Sequence, residues 1–232
     1  MANRGKKYVN ARQQIDKTQL LSVEQALTQM KQLAFAKFDE SVDISVNLGI
    51  DASKGEQVVR GSVVLPYGKG KTARVIAFAK GEYADQAKAG GADFVGAEDL
   101  VEKIEGGWMD FDYAVATPDL MGLVGKLARL LGPRGLLPNK KLGTVTFDVE
   151  AAVADLKKGR LFFKNDKQGV VHFSFGKVSF APEKLRENLL AFVKALSAAK
   201  PASSKGKFLK KMTISSTMGV GLPINPEEVV RS

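Results

Sequence analysis

The sequence predicts a mixed α/β protein of two domains, with one domain inserted into the other. Three observations support this: both chain ends contain strands in which apolar and polar residues alternate, the middle alternates strands with helices, and the excess positive charge lies at the ends. We expect a discontinuous α+β domain at residues 1–67 and 159–232, with an antiparallel sheet and two helices. The inserted domain, 68–158, is expected to be a Rossmann-like, three-layer α/β/α unit.

The N-terminal part of the discontinuous domain begins with a clear helix signal. Ser22 and Gln25 have the spacing of a capping box, and the apolar residues that follow recur at helical spacing. From Val42 to Leu48 the period falls to two, which indicates a strand with one exposed face. A second strand is predicted at 58–65.

The C-terminal part returns to the same two-residue period. Strands at 161–164 and 170–175 flank the turn sequence 165–169 and predict a hairpin. Pro182 is suited to the first turn of a helix, and a last strand is expected at 208–216. Neither part has enough strands to cover its own helix, so we infer that the two parts form one domain.

The inserted domain is predicted from a strand at 75–79 that is apolar throughout, as in parallel sheets covered on both faces. Helices and strands then alternate along the chain. The predicted helices are 82–89, 98–105, 120–131 and 149–158, and the strands are 93–95, 113–117 and 144–147. No GxGxxG follows any of these strands, so the likeness to a dinucleotide-binding domain concerns architecture only.

The net charge of +10 is unevenly distributed. Residues 160–232 contain thirteen Lys or Arg and five Asp or Glu, whereas 67–159 contain thirteen of each. Such asymmetry is expected for a protein that binds a polyanion, although lysines also serve only to solubilise a surface. The first residues carry Arg4, Lys6, Lys7 and Arg12 among small and polar neighbours, and they predict an arm that a partner orders.

Composition excludes much enzyme chemistry. The chain has no cysteine and one histidine, His172, so thiol catalysis and Cys or multi-His metal sites are excluded. Residues 68–72 resemble the last part of the phosphate-loop motif GxxxxGK[ST], but Leu65 occupies the position at which the motif requires its first glycine. We therefore predict no catalytic residue, no metal site and no cofactor. No apolar run is long enough for a membrane span, so we expect a cytoplasmic protein without a membrane partner.

Two stretches favour nucleic-acid binding. Residues 117–145 form a glycine-rich and proline-rich segment whose cations Arg129, Arg134, Lys140 and Lys141 could contact RNA or tRNA. In 210–221 the outward side of the last strand is predicted to carry Lys211, Thr213, Ser215 and Thr217, which suit phosphates and RNA 2′-hydroxyls. At this point an ordinary half-exposed strand, a nucleotide-dependent enzyme that uses the inserted domain, and a DNA-binding regulator remain alternatives.

Two neighbouring sequence motifs resemble those of a known protein family. The stretches ATPDLMGLVGKL (116–127) and LGPRGLLPNKK (131–141) closely resemble the signature of the universal large-subunit ribosomal protein number one family, bacterial type. The likeness extends from about Gly5 to Asn225. Members of this family form the mobile stalk beside the tRNA exit site of the ribosome.

The resemblance implies a set of partners and a set of RNA-binding positions. The implied partners are 23S rRNA within the 50S subunit, exit-site tRNA and the protein's own operon mRNA, with roles in releasing deacylated tRNA and repressing translation, for a chain that is monomeric when free. The implied RNA-binding residues are Lys37, Phe38, Ser41, Asp166, Lys167, Thr217, Met218 and Gly219. They add to Lys211, Thr213 and Ser215, which the alternation of the last strand predicts. Many relatives carry threonine where this chain has Ser41. Two roles stay open: Phe38 could belong to the core, and Asp166 could simply fix its turn.

Overall fold

The computed structural model describes residues 5–16, 19–204 and 206–231. Its strands are β1 (Ser41–Leu48), β2 (Arg60–Val64), β3 (Val75–Phe78), β4 (Phe94–Gly96), β5 (Tyr113–Ala116), β6 (Arg160–Lys164), β7 (Val170–Lys177), β8 (Leu209–Ser216) and β9 (Leu222–Ile224). Its helices are α1 (Lys6–Gln13), α2 (Val23–Leu33), α3 (Glu82–Ala89), α4 (Glu98–Glu105), α5 (Met121–Val124), α6 (Ala128–Leu131), α7 (Val149–Lys157), α8 (Pro182–Ala198) and α9 (Pro226–Arg231). None of the helices in these ranges has the length and apolar content that crossing a membrane requires.

The chain divides into two compact units. We call Met1–Gly70 with Phe162–Ser232 the split unit, and Lys71–Leu161 the inserted unit. The split unit has an antiparallel sheet, the inserted unit has a parallel one, and helices pack on both. This confirms the predicted mixed α/β fold class.

The main sheet of the split unit has the strand order β7-β1-β8-β9. Its neighbours are antiparallel, with Ile44 opposite Phe173 on one side and Ile214 on the other. These apolar side chains are buried on the face that helices α2 and α8 cover. As predicted, Ser22 and Gln25 form a capping box at the start of α2, and Pro182 lies in the first turn of α8.

The predicted hairpin of β6 and β7 is wrong. Strand β6 pairs with β2 in a separate two-stranded sheet, and it meets β7 only at a bridge between Asn165 and Val171. The cause is the buried Asn165. Its backbone N–H donates to Val59 O (3.0 Å), and its side-chain Oδ1 accepts from Val59 N (2.8 Å). These two hydrogen bonds hold the chain next to β2 before it turns into β7.

The split unit also contains elements that the sequence did not indicate. Helix α1 lies where an unstructured arm was expected, and Ala11 is buried on it; Arg4 of that arm lies outside the described residues. A short strand, β9, and helix α9 follow β8. Strand β9 pairs with β8 and is bridged on its other side by Leu21, which protects this edge of the sheet.

The inserted unit is a three-layer α/β/α structure. Its parallel strands have the order β4-β3-β5, with α3 and α7 on one face. On the other face α4, α5 and α6 pack over a core that includes Phe78, Ile104 and Leu127. Helices α3 and α4 have the predicted bounds. Both faces of β3 are buried, which explains why its sequence is apolar throughout.

Two predictions for the inserted unit are wrong. The expected helix at 120–131 is a series of short turns: a 3₁₀ turn precedes α5, and a second one, Gly125–Leu127, separates α5 from α6. Gly122 and Gly125 weaken a continuous helix here. The expected strand at 144–147 is a single bridge between Val145 and Ala116, because Gly143 (φ 74°) precedes it and Asp148 already caps α7.

Candidate nucleic-acid interface

The split unit presents a polar sheet face opposite its helices. In successive rows across the sheet, Asn47 is paired with Lys211, Ser45 with Thr213, and Asp43 with Ser215. Strand β7 continues these rows with His172 beside Ser45, and these two side chains share a hydrogen bond of 3.0 Å. We call this surface the outward face; it consists of Ser41, Asp43, Ser45, Asn47, Val170, His172, Ser174, Lys177, Lys211, Thr213 and Ser215. At about 3.3 Å per residue, the outward side chains of β1 extend over about 20 Å.

Ser41 and Thr217 meet at one end of the outward face. Ser41 N donates to Thr217 Oγ1 (2.9 Å), and Thr217 N donates to Ser41 O (3.0 Å). The Ser41 hydroxyl accepts a hydrogen bond from Lys177 Nζ (2.9 Å). The Thr217 hydroxyl therefore helps to join strand β1 to the turn after β8, the Ser41 hydroxyl joins β1 to β7, and Thr217 itself is exposed.

A buried carboxylate, Glu40, holds two turns together at this end. Only 2% of Glu40 is exposed. It accepts hydrogen bonds from Ala36 N (3.0 Å) in the turn before β1 and from Met218 N (3.0 Å) in the turn after β8. Burial raises the pKa of this carboxyl, but hydrogen bonds from the Ser216 hydroxyl and from these backbone amides outweigh burial and lower the pKa below its ordinary value.

Lys37 and Phe38 project from the first of these turns. Asp39 holds the far side of the turn, because its carboxylate accepts from Ser179 N (3.1 Å) and from Ser179 Oγ (2.8 Å). Phe38 is 57% exposed and Met218 is 52% exposed. Phe38 is therefore not a core residue, and the two turns that Glu40 joins each present one large apolar side chain to solvent.

Gly219 has a steric reason to be glycine. A Cβ atom at this position would lie 2.4 Å from Ser216 Oγ, the hydroxyl that also bonds Glu40. Its amide donates to Ser216 O (3.1 Å), which closes the turn. A side chain here would force Ser216 away from Glu40 and would disturb the turn that presents Met218.

Asp166 and Lys167 lie at the opposite end of the outward face. Asp166 Oδ1 accepts from Gln168 N (2.9 Å) and Val170 N (2.8 Å), so this carboxylate fixes its own turn. These backbone hydrogen bonds, the one from Val170 first, lower the pKa of the exposed carboxyl. Lys167 is exposed beside it. These two residues are thus separated from the Glu40 end by the length of strand β1.

The cations of the outward face and its turns are available to a ligand. Among the residues that the structure describes, Lys37, Lys167 and Lys211 have no carboxylate within ion-pair distance, and all three are exposed. Lys177 instead donates to Ser41 Oγ. Ser174 Oγ is buried and has no hydrogen-bond partner among the described residues.

The inserted unit carries a second cationic surface, which we call the basic loop (128–143). Arg129, Arg134, Lys140 and Lys141 are all exposed, and in the described part of the chain none of them has a carboxylate partner. The loop is ordered by a side chain: Asn139 Oδ1 accepts from Lys141 N (2.9 Å). Leu136 and Leu137 pack against the core below it.

Comparisons with known proteins identify the family of the chain. Residues 30–220 match the ribosomal protein L1p/L10e family. The chain belongs to this family. It is also 52% identical, over 226 residues, to the large ribosomal subunit protein uL1 of Desulfotalea psychrophila. That similarity covers 97% of this chain and 96% of the relative.

Membership of the L1p/L10e family has three consequences. The resemblance stated from the sequence is confirmed, and the chain is a ribosomal protein of bacterial type that acts in translation. It is a structural, non-enzymatic constituent of the ribosome, so the alternative of a nucleotide-dependent enzyme is excluded. Its place on the ribosome also confirms the predicted cytoplasmic location.

Sequence reasoning missed three residues that organise this L1p/L10e surface. Glu40, Asp39 and Lys177 hold the turns of Lys37 and Thr217 in place, yet each acts on residues more than 130 positions away. One sequence signal for Asp39 and Glu40 exists: they are two adjacent acids directly before an alternating strand, in a chain whose ends are otherwise basic. Without the strand pairing, nothing in the sequence joins these acids to Met218 or Ser179.

Proposed function

We propose that the protein is a constituent of the large ribosomal subunit whose split unit, corresponding to the predicted domain 1–67 and 159–232, binds 23S rRNA directly. The observation that carries this proposal is the outward face with its two turns, joined by Glu40. One end presents Lys37, Phe38, Ser41, Thr217, Met218 and Gly219, the middle presents Ser215, Thr213 and Lys211, and the other end presents Asp166 and Lys167.

The chemistry of this face suits folded RNA. The lysines supply affinity at phosphates, while hydroxyls on a rigid sheet recognise 2′-hydroxyls and backbone shape. Phe38 and Met218 offer exposed apolar surface on which a base or a sugar can pack. The buried Ser174 hydroxyl, which lacks a partner among the described residues, is a group that bound RNA or an ordered water would satisfy.

The inserted unit, predicted as domain 68–158, is proposed to make a second and weaker contact. The loop exposes the cations Arg129, Arg134, Lys140 and Lys141, which have no carboxylate partner in the described part of the chain, so the contact with rRNA or with exit-site tRNA would be mainly electrostatic. As part of the mobile stalk, this contact would take part in releasing deacylated tRNA. The free protein is proposed to be a monomer.

The same outward face would serve in regulation. A protein that recognises an RNA fold by shape and 2′-hydroxyls binds any RNA that presents the same fold. We therefore include repression of translation, through a copy of that fold in the protein's own operon mRNA, in the proposed function.

The direct test measures binding of the 23S rRNA stalk fragment by two variants of the full chain. Thr217→Val removes the hydroxyl that joins β1 to the turn, and Met218→Asp places a charge where the apolar side chain is exposed. We expect Met218→Asp to weaken binding at least 100-fold and Thr217→Val about tenfold. Phe147→Asp changes an equally exposed apolar residue of the inserted unit and serves as the control. Unchanged affinity in both variants would refute the assignment of the face.

The division of labour between the units has its own test. A chain in which residues 68–158 are replaced by a short spacer should fold and bind the rRNA fragment. If that chain is folded but inactive, while residues 68–158 alone bind, the proposed roles of the two units are reversed.

A further inference from the structure

A cavity of about 550 Å³ opens beside the outward face, next to strands β8 and β9. Lys211 and Thr213 of the outward face line it, and Pro223, which is paired with Thr213, continues the wall across β9. The far side is formed by Leu20 and Asn225. The cavity is therefore continuous with the proposed RNA surface, but its other lining residues, Leu20, Lys210, Pro223 and Asn225 among them, do not belong to the outward face.

Most of the polar side chains that line the cavity can donate hydrogen bonds. Among the described residues, Lys210 and Lys211 have no carboxylate partner, and the Thr213 hydroxyl has no hydrogen bond. Asn225 Oδ1 accepts from Glu227 N (3.1 Å), which leaves its Nδ2 as a donor. The carboxylate of Glu227 is paired with Lys207 (2.9 Å). A ligand that fits must therefore be rich in acceptors and negatively charged.

The apolar wall adds a second requirement. Leu20 is 58% exposed, and the partly exposed Pro223 lines the same cavity. A volume of this size lies within the range of small-ligand pockets, which combine apolar walls with a few polar groups. Inorganic phosphate would use the donors and leave the wall uncovered. A ribonucleotide uses both, since its phosphate and carbonyl groups accept hydrogen bonds and its base covers apolar surface.

We propose that this cavity is a nucleotide subsite, which takes one unstacked nucleotide of the RNA bound on the outward face. The phosphate lies at Lys210 and Lys211, and the base lies against Leu20 and Pro223, with Thr213 and Asn225 at its polar edge. This inference rests on the proposed function, because it extends the same RNA interface past β9 and gives it a single-stranded element to recognise.

The first test uses the full-length protein and small probes. UMP and inorganic phosphate are titrated separately while the amide resonances of Leu20, Thr213 and Asn225 are followed by NMR. We expect UMP to shift these resonances and to bind about tenfold more tightly than phosphate, because only UMP covers the apolar wall. Equal affinities would reduce the cavity to an anion site and overturn the proposal.

The second test uses the rRNA stalk fragment and three substitutions outside the residues assigned to the outward face and its turns. Lys210→Ala removes a phosphate partner, Leu20→Ser removes the exposed apolar wall, and Asn225→Ser removes the amide donor but keeps a cap for α9. We expect each to weaken RNA binding three- to tenfold, and Lys210→Ala to reduce the salt slope by about 0.7 to 0.9. Lys194→Ala, an exposed lysine on α8, is the matched control.

The outcomes separate the subsite from the wider function. If Met218→Asp abolishes binding while the three cavity variants bind like the Lys194→Ala control, the RNA interface stands and the subsite is refuted. If the unmodified protein does not bind the RNA, the proposed function fails, and the UMP titration then decides alone whether the cavity takes nucleotides.

Discussion

The outward face of the split unit and the basic loop of the inserted unit are both candidates for RNA contact, but they are built in different ways. The face sits on an antiparallel sheet, and its turns are held by Glu40 and Asp39 through hydrogen bonds of 2.8 to 3.1 Å. The basic loop consists of short helical turns and glycine-containing segments, and among the described residues only the Lys141 backbone, bonded by Asn139, has a side-chain hydrogen bond that fixes one of its four cations. The outward face holds its polar groups in fixed positions, whereas the basic loop contributes positive charge.

This difference determines how each surface can recognise RNA. Hydroxyls and amides discriminate among RNA folds only when their positions are fixed to within a fraction of an ångström. Lysine and arginine on a loop attract any phosphate and lose affinity steeply as salt is added. We therefore expect substitutions of hydroxyls and turn residues in the split unit to change affinity at constant salt slope, and substitutions of the basic-loop cations to change the slope.

The largest effect is expected for Glu40→Ala. The substitution leaves the amides of Ala36 and Met218 and the Ser216 hydroxyl without their acceptor, which should lower the free energy of unfolding by about 3 kcal/mol. Because the Phe38 and Met218 turns then separate, affinity for the rRNA fragment should fall about 100-fold. Urea unfolding and RNA titration measure the two quantities.

Glu24→Ala is the control for Glu40→Ala. Glu24 is exposed and its contact with Arg186 (3.4 Å) is a surface ion pair, so its loss should cost less than about 1 kcal/mol. Equal effects of the two substitutions would mean that Glu40 contributes only its charge and that the turns do not depend on it.

The next largest effect is expected for the double variant Lys140→Ala and Lys141→Ala. For tRNA, the slope of log affinity against log salt should become less steep by about 1.5, with each lysine accounting for 0.7 to 0.9. The control removes Lys88 and Lys103, two lysines from the acidic helices of the same unit. If the control changes the slope as much, net charge and not the basic loop governs tRNA binding.

A smaller effect is expected for Thr213→Val in the middle of the outward face. The side chains have nearly the same shape, so the variant should fold normally and lose only one hydroxyl contact. We expect a fivefold loss of rRNA affinity, corresponding to about 1 kcal/mol, with no change in salt slope. The control is Thr28→Val on α2, which removes a hydroxyl that bonds Glu24 O within the helix and should bind RNA normally. A changed salt slope for Thr213→Val would contradict the expectation that this hydroxyl contributes a fixed contact and no charge.

The smallest effect is a pH dependence of stability. The pKa of Glu40 is lower in the folded state than its ordinary value of 4.5, so its stabilisation is fully present above pH 4.5. This contribution is lost as the pH falls below 4.5 through the folded-state pKa. The Glu40→Gln variant lacks this titrating group. Below pH 4.5 its free energy of unfolding should therefore fall less steeply than that of the unmodified protein. Parallel curves would show that other carboxyls dominate acid unfolding.

The local signals in the sequence predicted much of the fold. The helices at 82–89 and 98–105 have the predicted bounds because glycines end them and their apolar residues recur at helical spacing. The alternation in β1 and β8 also predicted correctly which side chains point outward, since the period of a strand leaves no other choice.

The features that the sequence did not predict depend on distant partners. The hairpin of β6 and β7 failed because a buried amide, Asn165, pairs with Val59, more than 100 residues earlier. The role of Glu40 was not predicted, because it depends on the pairing of β1 with β8, which places Met218 beside it. The broken helix at 120–131 was the exception, because Gly122 and Gly125 gave a local warning that the apolar spacing outweighed.

The position of β8 between β1 and β9 has a consequence for biosynthesis. Strand β8 is made near the end of synthesis, and the two turns at the Glu40 end are joined only when the Met218 amide bonds to Glu40. A nascent chain released before residue 219 therefore has lysines but no assembled site. Under the proposed function, a chain truncated there would not bind the large-subunit RNA, so the fold would make RNA binding depend on nearly complete synthesis.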